Sequence, residues 1–452
     1  MCELIKRSVD KFRTSDDTLT RVLRNSVWLF TGNGVTAVLS FFYLAILTRT
    51  LGPVGFGQFV LIFSTVQIIA AFLRLQTWQT VVHFGARYIA GNDLQKFSSL
   101  AFLAITMEIL GALIGCLIAW FTIPLIGSYF NWEAGFVEIT RLYAIVMLLC
   151  FKSSALGILR AHDRFRDGAF AEAMIPIGRM IGALVVLFVG PNVIAFLAAW
   201  AAAEILCVTV FWTLIFRHAR LKSSAFGIRQ FSAIIKENAA LLKFYVTTAL
   251  TDMIGPLREH LVVLVIGFLI DVRSAGLFRL ANQLANAVNR IGEIFSKPLF
   301  TELSRIYTSG NTKEFRRLFF RSMRLSALSG VAIILLLIAL GRPMIDLMAG
   351  PEFADAYPLL VLLGCATGFG LIGLGIEPLL QSSGKAHIAL AIRFLALASI
   401  ATGLYFLVPL YNAIGAALSM TIAAAITLMF LLITGLNETR RIKRDQAEQE
   451  TR

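Results

Sequence analysis

Residues 26–59 read SVWLFTGNGVTAVLSFFYLAILTRTLGPVGFGQF. The first part, Ser26 to Thr48, carries no charged side chain over 23 residues. As a helix it would be about 35 Å long, enough to cross a hydrocarbon layer of about 30 Å. Asn33, Ser40 and Tyr43 add only mild polarity to it. Similar apolar runs recur at Gly57–Leu75, Ser98–Ile123, Phe136–Leu159, Ala169–Val189, Val193–Phe216, Phe244–Ile270, Ala275–Phe295, Phe319–Leu340, Tyr357–Leu380, Ile388–Val408 and Ile414–Leu436. The pattern predicts about twelve membrane-spanning helices, which take roughly 240 of the 452 residues and leave no room for a large soluble domain.

The second part of the opening stretch sets the organisation. LTRTLGPVGFGQF at 47–59 aligns with IGFLIDVRSAGLF at 266–278, an offset of 219. RYIAGND at 87–93 aligns with IYTSGNT at 306–312 at the same offset, and FVGPNVIAFLAA at 188–199 with VPLYNAIGAALS at 408–419 at 220. Three matches in chain order at nearly one offset predict two six-helix units. Because six is even, both enter the membrane from the same side, giving parallel repeats about a central cavity. The expected organisation is a tail at 1–25, an N-terminal lobe at 26–216, a basic, weakly amphipathic linker at 217–243, a C-terminal lobe at 244–436 and a tail at 437–452. The linker reads either as a segment lying in the headgroup layer or as a solvated loop.

Composition agrees with this. Apolar residues make up 58% of the chain and charged residues 15%, with a mean hydropathy of +0.77, which excludes a water-soluble globule, a disulfide scaffold and a disordered chain. The net charge of +14 is unevenly distributed. With the N-terminus inside, inner segments collect nearly all the Lys and Arg, while outer loops hold only Arg49, Arg273 and Arg342. The positive-inside rule then places both termini in the cytoplasm of a multi-pass inner-membrane protein. A cleavable signal peptide and a nucleic-acid-binding face are the weaker readings of the basic residues.

Ionisable groups inside apolar spans are costly and mark function or structural pairing. In the eighth span, Arg279, Gln283, Asn286, Arg290 and Glu293 follow spacings of four, three, four and three, so they share one helical face. The equivalent face of the second span, Val60, Ser64, Gln67, Ala71 and Arg74, is far less charged. The seventh span carries Asp252 and Glu259 on one stripe, with Arg258 beside them and Gly255-Pro256 expected to break or kink the helix between them. In the first half, Glu172, Pro176 and Arg179 share a face of the fifth span, Lys152 lies in the inner half of the fourth, and Glu108 and Glu204 lie in the third and sixth. Several cations facing a cavity suit an anionic substrate, since guanidinium keeps its charge and pairs bidentately with phosphate oxygens. The candidate substrate-binding residues are therefore Arg258, Arg290, Arg279, Arg179 and Lys152, with Gln283 and Asn286 for hydroxyl groups and Asp252 and Glu259 for a coupling ion. The competing reading is structural: Arg290 with Glu293, or Arg179 with Glu172, as buried ion pairs, and Arg279, Lys152 and Arg393 reaching toward headgroups.

Chemistry of other kinds finds no foothold in the sequence. His83, His162, His218, His260 and His387 lack metal-ligand spacing, and no phosphate loop or nucleophile elbow is present, so neither an enzyme nor a cofactor is expected. His260 beside Glu259 reads as a hydrogen-bonding residue rather than a proton relay. Cys116, Cys150, Cys207 and Cys365 read as small packing residues.

The opening stretch from Arg24 to Phe59, RYIAGND at 87–93, GILRAHDRF at 157–165 and QSSGKAHIALAIRFLALASIATGLYFLVPLYNAIGAALS at 381–419 together resemble the bacterial polysaccharide transporter family. These are Wzx-type flippases, within a superfamily that also holds multidrug exporters. The resemblance implies movement of an undecaprenyl-diphosphate-linked oligosaccharide between leaflets of the inner membrane, for polysaccharide biosynthesis. It also implies a cationic lumen between two lobes, ion-coupled alternating access, and glycosyltransferases and a polymerase as partners beside the membrane lipids. By position Arg258, Arg279 and Arg290 are the lumen candidates. The alternatives are a cation-coupled multidrug or metabolite exporter, whose lumen should be acidic, and a membrane polysaccharide polymerase or ligase, which would need a large outer loop.

Overall fold

A computed structural model of the protein describes residues 18–73, 77–129, 132–219, 221–287, 312–373, 376 and 386–450. Among these residues there is no strand. The chain runs through α1 (Thr18–Leu73), α2 (Trp78–Ala90), α3 (Leu94–Tyr129), α4 (Ala134–Leu149), α5 (Ser153–Ala161), α6 (Phe165–Val189) and α7 (Val193–His218). It continues through α8 (Ile228–Glu237), α9 (Leu241–Leu269), α10 (272–287), α11 (Thr312–Met348), α12 (Ala356–Gly373) and α13 (Ala386–Glu450). Within the described residues the expected spans fall on these helices, the ends at 74–75, 288–295 and 377–380 lying outside them, and eight described stretches are long and apolar enough to cross a membrane. Outward faces confirm the solvent. In α3, Leu113, Leu117, Leu125 and Phe121 form an i, i+4 stripe more than half exposed, a surface water would not tolerate but acyl chains would. The chain is an all-α multi-pass membrane protein.

Two of the long helices contain bends that separate successive spans. In α1 the bend is a single residue, Gly52, at φ 63° and ψ 179°. A side chain is disfavoured there, and Pro53 then opens the second limb, where its missing N–H costs nothing. In α13 the bend is Asn412 at φ 53°, a residue type that tolerates positive φ, and Pro409 precedes it.

The seventh span, expected to break or kink at Gly255-Pro256, does not break there: α9 stays helical through Pro256. One expectation about continuity is corrected. The fourth span, expected to be one helix, is broken instead, α4 ending at Leu149 and α5 beginning at Ser153, with Cys150 at ψ 61° and Lys152 at φ −148° between them.

One compact unit holds the chain up to Leu51 together with Ile62–His260. Its core joins Phe97, Leu100 and Ala101 of α3 to Ile158 of α5 and Phe211 and Ile215 of α7. α6 and α7 cross closely: a Cβ on Gly178 would lie 2.9 Å from that of Ala203, and one on Gly182 2.7 Å from that of Ala199. Two small residues four apart on each helix let the backbones approach, the usual way membrane helices gain packing without a hydrophobic driving force. The stretch at 217–243, expected as a linker, lies in this unit and contains α8. Its apolar side, with Ile234 buried and Phe231 and Ile235 beside it, packs on the core. Arg87 donates to Asn238 Oδ1, Asn238 donates to Tyr88 Oη at 2.8 Å, and Lys96 pairs with Glu237 at 3.1 Å.

The other unit holds Gly52–Leu61 and the chain from Leu261 onward. α11, α12 and α13 pack together, with Gly330 and Gly368 in mutual close approach. The repeat stretches 52–59 and 271–278 also meet here. A Cβ on Gly57 would come within 2.0 Å of the Val272 carbonyl oxygen, and one on Gly276 within 2.7 Å of the Pro53 carbonyl oxygen.

Candidate functional site

The break between α4 and α5 leaves the first backbone N–H groups of α5 without intrahelical partners. A carboxylate from another helix supplies them. Glu108 of α3, 5% exposed, accepts from Ser153 N at 2.8 Å and Ser154 N at 3.0 Å, and the Ser154 hydroxyl donates to it as well. The negative charge sits where the helix dipole favours it.

One residue before this helix, Lys152 Nζ donates to Glu204 Oε2 of α7 at 2.7 Å. The other oxygen of Glu204 faces Arg179 Nη2 of α6 at 3.4 Å. The α6–α7 crossing explains this pairing, since Arg179 and Glu204 each follow a contact residue, Gly178 and Ala203. Arg179 also stands over the Trp200 ring, 5.4 Å from its centroid, and Trp200 packs edge-on against Tyr43 at 5.0 Å. In the competing structural reading Arg179 pairs with Glu172; the carboxylate it meets is Glu204 instead. Nor does Lys152 reach for headgroups; it points at the same carboxylate. The triad carries one net positive charge inside the bundle.

A cavity of about 200 Å³ opens beside the break, bordered by Trp78, Glu108, Phe151, Lys152, Glu172 and Phe211. Trp78 starts α2, its N–H donates to Ser153 Oγ at 3.1 Å, and the Arg160 guanidinium lies 4.5 Å from its ring centroid. Glu172 is exposed on α6.

The remaining candidates are distributed between the units. In the first, Asp252 of α9 is half-buried and accepts from Gln79 Nε2 at 3.2 Å. Arg258 is exposed and Glu259 half-buried, and the buried His260 ring lies 3.2 Å from Ser64 Oγ. In the second, Arg279 and Gln283 are half-buried on α10, and Asn286 Nδ2 donates to Asn282 Oδ1 at 3.2 Å. Arg290 and Glu293 lie outside the described residues.

The sequence profile of the polysaccharide biosynthesis protein family (Polysacc_synt) matches residues 22–303. The chain belongs to that family. Among family-level relatives, inner membrane protein YghQ of Escherichia coli K12 is 25% identical over 352 residues, covering 76% of this chain and 97% of YghQ. The capsular polysaccharide biosynthesis protein CapF of Staphylococcus aureus is 22% identical over 181 residues, 40% of this chain and 46% of CapF. The fold is similar to that of solved membrane transporters. An inward-facing multidrug MATE transporter superposes with a TM-score of 0.72 at 13% identity, covering 90% of this chain and 96% of the transporter. The Lipid II flippase MurJ does so at 0.71 and 15% identity, covering 93% and 90%.

Two residues of the site carry roles that the sequence does not reveal. Glu108 and Glu204 were visible as charges within spans, but their roles were not: one caps a helix, the other joins two cations. Ser153-Ser154 in the middle of an apolar run is the signal that could have found the break, because serine favours helix starts over interiors.

Proposed function

We propose that this protein is an inner-membrane flippase that carries undecaprenyl-diphosphate-linked oligosaccharide units to the outer leaflet for polysaccharide biosynthesis. The observation that carries this reading is a polysaccharide biosynthesis profile across residues 22–303 on a scaffold shared with a Lipid II flippase. The physics supports it. A diphosphate carries about two negative charges, and taking them bare through hydrocarbon meets a prohibitive desolvation cost. Intramembrane cations lower that cost while the prenyl tail remains in lipid.

In this reading Arg258 and Arg290 grip the diphosphate, Arg279 adds to the field, and Gln283 and Asn286 meet sugar hydroxyls. The Lys152–Glu204–Arg179 triad contributes its one excess positive charge. Asp252 or Glu259 carries the coupling ion. Both termini face the cytoplasm in this reading, which the Lys/Arg asymmetry supports, and glycosyltransferases and a polymerase act before and after the flip. The multidrug alternative draws on the same fold, but the family profile and the likeness to CapF, a capsular polysaccharide biosynthesis protein, support the polysaccharide reading.

The test is movement of a labelled prenyl-diphosphate oligosaccharide in proteoliposomes. The wild type should transport it, and the double variant Arg258→Ala/Arg290→Ala, inserted at equal density, should not. Undiminished transport by the double variant would overturn the assignment of the grip.

A further inference from the structure

The cavity at the α4–α5 break has its own chemistry, distinct from a diphosphate grip. Its volume of about 200 Å³ falls below the roughly 300–1,000 Å³ of sites that enclose a drug-sized ligand, so it fits a single ring. Trp78, Phe151 and Phe211 give it apolar walls. Its polar groups are of both signs. Glu108 is occupied by the α5 N-terminus, whereas Glu172 makes no hydrogen bond or salt bridge among the described residues; it feels the charge of Arg160 over the Trp78 ring, and its acceptor oxygens remain available. Lys152 gives one proton to Glu204, and an ammonium group has three to give.

These groups decide between ligand classes. An anion would meet the carboxylates of Glu108 and Glu172, with the Lys152 charge already held by Glu204 at 2.7 Å. A simple hydrocarbon would leave the Glu172 oxygens without a hydrogen-bond donor and the two remaining Lys152 protons without an acceptor. An uncharged polyol ring satisfies both conditions: its C–H faces lie on aromatic surface, and its hydroxyls both donate to carboxylate and accept from ammonium. A helix interrupted within the membrane is also where transporters of this general build place ligand contacts.

We propose that this cavity is a glycan subsite, taking one uncharged pyranose ring of the carried oligosaccharide. The proposal rests on the flippase reading and adds to it a second contact point, remote in chemistry from the diphosphate grip and sensitive to sugar identity.

The test has two arms. In the first, purified full-length protein in nanodiscs is titrated with a neutral hexose, an N-acetylhexosamine and a hexuronate, with binding read by saturation-transfer NMR. A neutral sugar should bind the wild type and the surface control Glu138→Gln equally. It should bind Glu172→Gln and Trp78→Leu at least fivefold more weakly, and the hexuronate should bind worst. Absence of sugar binding, tighter binding of the hexuronate, or binding unchanged in both variants would overturn the subsite. Glu172 is exposed, so its variant guards against a folding failure at Trp78.

In the second arm, proteoliposomes carry either the prenyl-diphosphate oligosaccharide or bare prenyl diphosphate. Glu172→Gln should slow the first several-fold and leave the second unchanged. Wild-type transport that Glu172→Gln leaves unaltered for both cargoes would reject the subsite and keep the flippase reading. A wild type that moves no lipid-linked saccharide would reject the flippase reading, and the subsite's role in cargo recognition with it.

Discussion

Gly57 and Gly276, 219 residues apart and equivalent in the sequence repeat, lie against each other, a Cβ on Gly276 falling 3.0 Å from the Gly57 Cα. The contact is reciprocal, because each glycine faces the carbonyl of the residue equivalent to the other's neighbour, Val272 for Gly57 and Pro53 for Gly276. Such a contact is what two copies of one helix make when they cross about a twofold axis.

Gly57→Ala should therefore be costly. Its Cβ would stand 2.0 Å from a backbone oxygen, which no rotamer change relieves. Overpacking of this kind costs about 1–3 kcal/mol, seen as a lower unfolding temperature of the detergent-purified protein. Gly370→Ala, where nothing lies within 4 Å, should not lower it.

Glu204→Gln should destabilise more than removal of an exposed charge. It leaves Lys152 and Arg179, both largely buried, without their carboxylate. Breaking a buried pair in this way costs about 3–5 kcal/mol. The double variant Lys152→Met/Glu204→Gln should recover part of the loss in the same thermal assay, since one uncompensated charge has gone.

Glu108→Leu should loosen α5 locally. The Ser153 and Ser154 N–H groups would lose their acceptor, at about 1–3 kcal/mol for each buried group left unsatisfied. Hydrogen exchange should rise at the start of α5, with the amides of α7 as an internal reference. Unchanged protection would show that the cap is dispensable.

Asn238→Leu should release the α8 segment. Asn238 joins Tyr88 and Arg87 to the end of α8, and Leu can replace none of these bonds. Trypsin should then cut at Arg229 or Lys236, both exposed, several-fold faster than in the wild type. Equal cutting rates would mean that the apolar contacts of Ile234 hold the helix alone.

The spans were legible because a run of uncharged residues such as 26–48 has few fates other than crossing a membrane. The repeat was legible at 47–59 and 266–278, and its two glycines turn out to be contact residues. Breaks were not. Gly255-Pro256 looks like a breaker, yet one missing N–H inside a helix is tolerable in a membrane when neighbours support the backbone. Cys150-Phe151-Lys152 contains neither Gly nor Pro, and its break depends on a carboxylate from 42 positions earlier than Cys150. Arg179 likewise could be assigned a carboxylate only once it was known which helix lies beside α6, although Gly178 and Gly182 carry that information in their spacing.

The carboxylate seated on the α5 N-terminus has one more implication. The positive end of a helix buried in a bundle is an inviting stop for chloride or free phosphate. Because Glu108 belongs to α3 and seats its own carboxylate there, the place is filled by the protein itself, and a stray inorganic ion gains nothing at the start of α5.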